Sequence, residues 1–221
     1  IQILYLLTVF IKTLKIMKKN IIVVTGGAGF VGTNLIKKIV STTKYNVISI
    51  DNYSTGKLSN HIKNKRISYL NSDTKNISRI LRKKKKFINA IFHFGEFARI
   101  YQSFLKINEC INSNSIGSCD VFNFCLNNNI KLIYSATSAS LGNKGKDMNL
   151  SPYAFTKAKN LEYLENLKTW FNFKYEVIYF YNVYGPNQIS KGEMATVIGI
   201  FEEAYKKNKP LPVVRPGNQS R

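Results

Sequence analysis

The chain has 221 residues, 44% hydrophobic and 20% charged: enough apolar mass for one sizeable core and part of a second domain, and too much for a disordered chain. Its 33 basic residues against 12 acidic ones give a formal charge of +21, carried mostly by lysines scattered along the chain. Cys110, Cys119 and Cys125 form an odd set without metal-ligand spacing or a histidine cluster, which predicts no metal site and a reducing, cytoplasmic setting.

In chain order, residues 1–16 open with an apolar run of about eleven residues, too short to span a bilayer and without the basic flank and cleavage site of a secretory signal. They read as an upstream extension ahead of Met17, with a membrane anchor as the lesser alternative. "IIVVT" at residues 21–25 is a fully apolar strand, followed by "GGAGFVG" and an amphipathic helix with Phe30, Val31, Leu35, Ile36, Ile39 and Val40 on one face. "NVISID", ending at Asp51, is a second strand and "ISYLN" from Ile67 a third. "RKKKKF" at residues 82–87 ends a helix-like stretch with Ile77, Ile80 and Leu81 on one face; it reads as a solvated face, with a nucleic-acid patch as the lesser alternative. "AIFHF" from Ala90 is a fourth strand. A long helical region then runs through Ile107, Asn114 and Gly117 to Leu126. "KLIYSATS" from Lys131 is a fifth strand. A helix from Ser151 towards Trp170 is signalled by Ser151 as N-cap and Pro152 at the first helical position. "YEVIYFYNVYG" from Tyr175 is a sixth strand running into a loop. This alternation predicts an α/β fold, a doubly wound parallel sheet with helices on both faces.

A glycine turn binds a pyrophosphate when it follows a strand, opens a helix and is matched by an acidic residue ending the next strand, and all three conditions hold here. Gly26, Gly29 and Gly32 let the backbone approach the phosphates, and the helix N-terminus at Phe30 and Val31 supplies N–H groups and partial positive charge. Asp51, nineteen residues after Gly32, can accept both ribose hydroxyls and would repel an additional phosphate there. No arginine follows it in "DNYSTG", so the expected cofactor is NAD rather than NADP. Asp73, after the third strand, is a candidate for the adenine or an ordinary surface residue. Tyr153 and Lys157 lie one helical turn apart on the same face. A phenol ionises near pH ~10 and is a poor base at neutrality; an adjacent ammonium stabilises its anion and makes the pair a usable proton acceptor. Thr137 and Ser138, at the end of the fifth strand, can hydrogen-bond a substrate oxygen, or they are strand-end caps.

These stretches together resemble the extended short-chain dehydrogenase/reductases, and within them the NAD-dependent nucleotide-sugar epimerases and dehydratases. The resemblance covers residues 17–221 and rests on "VTGGAGFVG", "IDNYSTG", "AIFHFGEFA", "NSIGS", "YSATSASLG", "YAFTK", "YFYNVYGP" and "PLPVVRPGNQSR". It implies a Rossmann-like NAD-binding domain over 17–181 and the start of a smaller sugar-nucleotide-binding domain over 182–221. Tyr153 is then the acid/base, Lys157 its partner and a holder of the nicotinamide ribose, and Thr137 the catalytic hydroxyl residue with Ser138 beside it. Asn52, Phe94, Gly95 and Asn114 line the cofactor, while Asn182 and Arg221 hold the substrate. The dehydratases carry an acidic pair after the hydroxyl residue and the decarboxylases a glutamate two positions after it. Here Ser138 and Ala139 follow Thr137, so inversion at C4 of a UDP-hexose, or of a uronic-acid counterpart, is the implied reaction. Dehydration, decarboxylation and a non-catalytic NAD-binding regulator stay open. The resemblance also implies a homodimer, no nucleic-acid or membrane partner, and further sugar-binding chain beyond the position of Arg221. It therefore leaves turnover by this stretch alone open. Glu96 stands where the family has small residues, and a carboxylate there is expected to bear on substrate or redox preference.

Overall fold

The apolar runs of the sequence become the strands of one parallel sheet. The computed structural model describes residues 19–138, 141, 147–192, 195–213, 215 and 217. They fall into two compact units, one up to Tyr181 and one from Asn182. The proposed upstream extension, Ala139 and Arg221 lie outside the described residues.

In the first unit, β1 (Ile21–Thr25), β2 (Asn46–Asp51), β3 (Ile67–Asn71), β4 (Ile88–His93), β5 (Lys131–Thr137) and β6 (Tyr175–Phe180) pair in the order β3-β2-β1-β4-β5-β6, every pair parallel. This is the doubly wound Rossmann-like order, in which chain direction across the sheet reverses between β1 and β4. Thr25 lies opposite both Ile50 and His93, so the loops leaving β1, β2 and β4 emerge together at one edge.

Both faces of the sheet are covered, which is why its strands read as continuous apolar runs. Helix α1 (Phe30–Thr42) buries Leu35, Ile36 and Ile39 against Ile22, Val24, Ala90, Phe92 and Ile133. The alternate strand residues Val23, Ile48, Ile91, Leu132 and Tyr134 pack on the other face. Their partners include Ile77 of α2 (Ile77–Ile80), Phe122 and Cys125 of α5 (Ser118–Asn127), and Leu164 and Leu167 of α6 (Pro152–Phe171).

Two elements depart from expectation. The stretch before β4 is helical only over α2, and residues 82–87 are exposed and end in a short 3-10 turn, Lys85–Phe87. Five consecutive cationic side chains favour solvent there over packing as an extra helical turn. The long helix expected after β4 is a series: α3 (Ile100–Leu105), α4 (Ile107–Ile111), a π-helical segment (Asn112–Gly117) and α5. Lys106, at φ −129° and ψ 51°, breaks the first junction. At the last, Gly117 packs so closely on Thr74 that a Cβ would stand 2.4 Å from its Oγ1.

Helix α6 starts as its sequence predicts, with the Ser151 hydroxyl accepting from Ala154 N at 3.0 Å and Pro152 in the first turn. It ends at Asn172 in the left-handed region. In the second unit, α7 (Val197–Lys206) is capped by Thr196, whose Oγ1 accepts from Gly199 N at 3.1 Å. Among the described residues no helix is long and apolar enough to cross a membrane.

Candidate active site

Gly26, at φ +68°, turns the chain out of β1. A Cβ on it would stand 2.8 Å from Gly95 N and from the Phe94 carbonyl, so the turns after β1 and β4 touch through bare backbone. A Cβ on Gly32 would stand 2.2 Å from Gly26 O, so the first turn of α1 lies directly against the loop. Gly29 is the N-cap of α1 and offers no side-chain cap; Thr33 N, bonded to Gly29 O at 3.0 Å, is the first rung of the helix. The N–H groups of Phe30, Val31 and Gly32 ahead of it are the donors that an anion takes at a helix N-terminus.

Asp51 ends β2 with 8% exposure. Its Oδ2 accepts from Ala28 N at 2.9 Å and its Oδ1 from Tyr53 N at 2.8 Å, which ties the glycine turn to the loop after β2. Each oxygen keeps a second lone pair for a ribose hydroxyl. The cradle that any Cβ would fill, the open helix N-terminus and this oriented carboxylate fit an adenine dinucleotide. Asn52 donates to Asp73 Oδ2 at 3.3 Å, and Asp73 Oδ1 accepts from Lys75 N at 3.0 Å, so Asp73 also caps the short turn Thr74–Asn76. Arg66 is committed to the carbonyls of Val40, Thr43 and Tyr45 at the C-terminal end of α1.

Thr137 and Ser138 are buried at the end of β5. Tyr153 and Lys157 occupy the first two turns of α6, where Tyr153 N donates to Ser103 Oγ at 3.3 Å. The Lys157 side chain is 4% exposed. Its ammonium donates to the Ser135 carbonyl, to Ser135 Oγ at 3.2 Å and to Glu96, and it lies 4.8 Å from the centre of the Tyr134 ring. Glu96, with its side chain 2% exposed, is the hub of a polar network. Ser118 Oγ (2.9 Å), Tyr134 OH (3.1 Å) and Asn160 Nδ2 (3.3 Å) donate to its Oε1, while Ser135 Oγ, whose single proton goes to the His93 carbonyl at 2.8 Å, lies 3.2 Å from its Oε2.

The network continues through His93. Because Ser118 gives its proton to Glu96, it accepts from His93 Nε2 at 2.9 Å; His93 Nδ1 then accepts from Thr25 Oγ1 at 2.7 Å. Thr25 Oγ1 in turn accepts from Phe94 N (3.1 Å) and Gly95 N (3.0 Å), the turn predicted to line the cofactor. Burial pulls His93 down to about 4, with Lys157 adding to that and Glu96 opposing it, so its imidazole is neutral. Burial and the neighbouring Glu96 carboxylate push the Tyr134 phenol well up. Asn114, in the π-helical segment, clamps the loop after β4: its Oδ1 accepts from Phe97 N at 2.6 Å and its Nδ2 donates to Phe97 O at 3.0 Å. Its carbonyl accepts from Asn160 Nδ2 at 2.6 Å.

The structure thus places Thr137 and Ser138 at the end of β5, Phe94 and Gly95 after β4, Asn114 against Phe97, and Tyr153 and Lys157 on the first turns of α6, with Lys157 bonded to Ser135 of β5; Gly26, Gly29, Phe30, Val31, Gly32 and Asp51 lie at the ends of β1 and β2 and the start of α1. Asn182 is an exposed residue that opens the second unit. Sequence reasoning missed Thr25, His93, Ser118, Tyr134, Ser135 and Asn160. One signal was present: the buried face of α6 runs Thr156, Lys157 and Asn160 before turning apolar at Leu164 and Leu167. Polar residues on a buried helical face mark a polar partner across from them. Arg99 was also passed over; burial draws its guanidinium down and the nearby Tyr153 phenol offsets this in part. Among the described residues no cluster of metal-ligating side chains occurs.

Residues 22–221 match the model of the NAD dependent epimerase/dehydratase family. Among solved structures, the chain is 30% identical to the UDP-N-acetylglucosamine 4-epimerase of Methanobrevibacter ruminantium in complex with UDP-N-acetylmuramic acid, with a TM-score of 0.78 over 90% of this chain and 66% of that one. It is 28% identical to the UDP-glucose 4-epimerase of Thermotoga maritima with UDP-glucose, with a TM-score of 0.77 over 86% of this chain and 64% of that one. To the UDP-glucose 4-epimerase of Thermus thermophilus in complex with NAD it is 25% identical, with a TM-score of 0.75 over 87% and 65%. The chain therefore spans just under two-thirds of the length of each of these structures.

Proposed function

We propose that this chain, which belongs to the NAD dependent epimerase/dehydratase family, carries the NAD-binding and acid/base half of a nucleotide-sugar 4-epimerase acting on a UDP-hexose of the glucose/galactose type. The observation that carries the reading is the seat of Lys157: a buried ammonium anchored on the end of β5, one helical turn from Tyr153. NAD, the cofactor of the family, supplies reversible hydride acceptance when bound. The residues that would hold it are the glycine turn, Phe30, Val31 and Asp51 at the adenosine diphosphate end, and Phe94, Gly95 and Asn114 towards the nicotinamide, with Asn52 and Asp73 flanking the adenosine; Lys157, whose three protons go to Ser135 and Glu96, would have to release one of these bonds to reach the nicotinamide ribose.

In this reading Tyr153 takes the proton from the sugar 4-hydroxyl as the hydride leaves C4, and returns it after the 4-keto sugar has presented its other face. Thr137 and Ser138 hold the sugar oxygen between them and the phenol. Asn182 and Arg221 are proposed to hold the nucleotide sugar from region 182–221, with 17–181 as the cofactor domain. Dehydration and decarboxylation are less well supported, because Glu96 is engaged by Lys157 and three further donors and is not free to act on a leaving group. A homodimer is supported by the apolar side chains exposed along α3, α4 and α6, among them Tyr101, Phe104, Leu105, Ile107 and Phe155. Three free cysteines accord with a cytoplasmic setting.

The test is to incubate the full-length protein with NAD and UDP-glucose or UDP-N-acetylglucosamine and to follow inversion at C4 by NMR. Tyr153→Phe is expected to slow turnover by about 10²–10⁴-fold while NAD binding stays within about twofold. A folded, NAD-loaded protein that inverts no nucleotide sugar would refute the proposal and favour a regulatory role.

A further inference from the structure

Glu96 is the one carboxylate joined to the acid/base pair among the described residues. A buried carboxylate is costly unless paired and fully hydrogen-bonded. Here it has one cation and three further donors from three elements: Lys157 and Asn160 on α6, Ser118 on α5, and Tyr134 on β5. The donors aim at the two oxygens from different sides, so neither the carboxylate nor the ammonium can turn without leaving a buried polar atom unpaired.

We propose that Glu96 is a positioning residue of the acid/base pair: it holds the Lys157 ammonium down on the Ser135 carbonyl and, as its counter-ion, weakens the pull of that ammonium on the Tyr153 phenol. This rests on Tyr153 and Lys157 acting as proposed above. The physical basis is that an isolated ammonium acts at a distance as a full charge, whereas an ammonium in contact with a carboxylate acts as a dipole whose field falls off faster. Tyr153 sits one turn along α6 from Lys157, within reach of that difference. Tyr153 is also felt by Arg99 and Tyr134, and Glu96 by His93, Cys110 and Tyr134. His93 is neutral, and burial raises the Cys110 thiol and the Tyr134 phenol, so Arg99 is the remaining cation at the phenol and Glu96 decides whether Lys157 adds a second.

The test is a pH titration of tyrosine 13Cζ signals in the NAD-loaded full-length protein, with the Tyr153 signal assigned by its loss in Tyr153→Phe. In Glu96→Gln, which leaves the Lys157 charge uncompensated, the rising limb of the pH–rate profile and the Tyr153 signal are expected to move to lower pH than in wild type. Glu96→Asp, which keeps the charge, is expected to restore most of the wild-type midpoint. Saturating NAD holds the variants folded by mass action. If Glu96→Gln still fails to give a cooperative melt, Glu96→Ala, whose shortened side chain leaves room for water, is titrated in its place. An unshifted Tyr153 in a folded, charge-removed variant overturns the inference whatever the turnover. Absence of turnover in wild type defeats the proposed reaction alone, because the titration is read without any sugar.

Discussion

Replacing Gly29 and Gly32 by alanine, one at a time, separates the glycine turn as a piece of packing from the glycine turn as a binding surface. At Gly29 the backbone is extended, with φ −81° and ψ 177°, a conformation alanine adopts freely. The nearest atom to an added Cβ is Gly26 O at 3.2 Å, and otherwise the methyl faces open space. Loss of unfolded-state entropy stabilises such a change by about 0.4–1 kcal/mol, and the poorer N-cap and the tight contact oppose it, so the net effect on stability is within about 0.5 kcal/mol. In the proposed cofactor site that open space is where the diphosphate approaches the N–H groups of Phe30 and Val31. Losing one charge-assisted hydrogen bond there costs about 1.5–3 kcal/mol, or about 10–100-fold in NAD affinity. Gly32 is the reverse case. Its Cβ would meet Gly26 O at 2.2 Å and Gly27 Cα at 2.7 Å, both backbone, so α1 has to move off the turn. Overpacking of this kind costs about 2–3 kcal/mol, which lowers the melting temperature by roughly 5–10 °C in a chain of this size. Thermal melts read the first quantity and calorimetric titration with NAD the second. Should Gly29→Ala bind NAD as tightly as wild type, or Gly32→Ala melt at the wild-type temperature, the geometry assigned to the turn is wrong.

Asp51→Asn keeps only one acceptor for the Ala28 and Tyr53 amides. It is expected to destabilise by about 1–3 kcal/mol and to weaken NAD at least about tenfold; unchanged NAD binding in calorimetry counts against Asp51 as the ribose site. His93 gives a pH dependence of defined sign. Its folded value of about 4 lies below the ordinary 6.5, so between those limits the unfolded chain binds the additional proton and stability falls as pH falls. The loss expected from pH 7 to pH 4 is on the order of 3 kcal/mol. Urea melts of wild type and His93→Gln at the two pH values check it, and equal pH slopes in the two proteins would remove His93 as the cause.

Much of this was readable from the chain because parallel strands covered on both faces must be apolar throughout, and Val23, Val24, Ile91 and Phe92 are. The glycine turn and Asp51 were legible because their requirements are local: a strand, a tight turn and a helix start. Tyr153 and Lys157 were legible because helical spacing puts them on one face. What could not be read depends on distant residues meeting. Glu96 and Lys157 are 61 positions apart, and their contact follows from the register of β4 on β5 and the seating of α6. The same holds for the link from His93 to Thr25 across β1 and β4. The helical region expected through Asn114 is present, but its π-helical widening over Asn112–Gly117 was not legible for a related reason: Asn114 uses its side chain to clamp the backbone of Phe97, a tertiary demand that periodicity does not report.

The double use of Asp51 has an outcome for how a dinucleotide is received. If Asp51 takes the ribose as proposed, its two oxygens are already aligned for it by the Ala28 and Tyr53 amides. Small fragments such as ADP should therefore lodge there unaided, and the nicotinamide ring should contribute selectivity of chemistry more than strength of attachment.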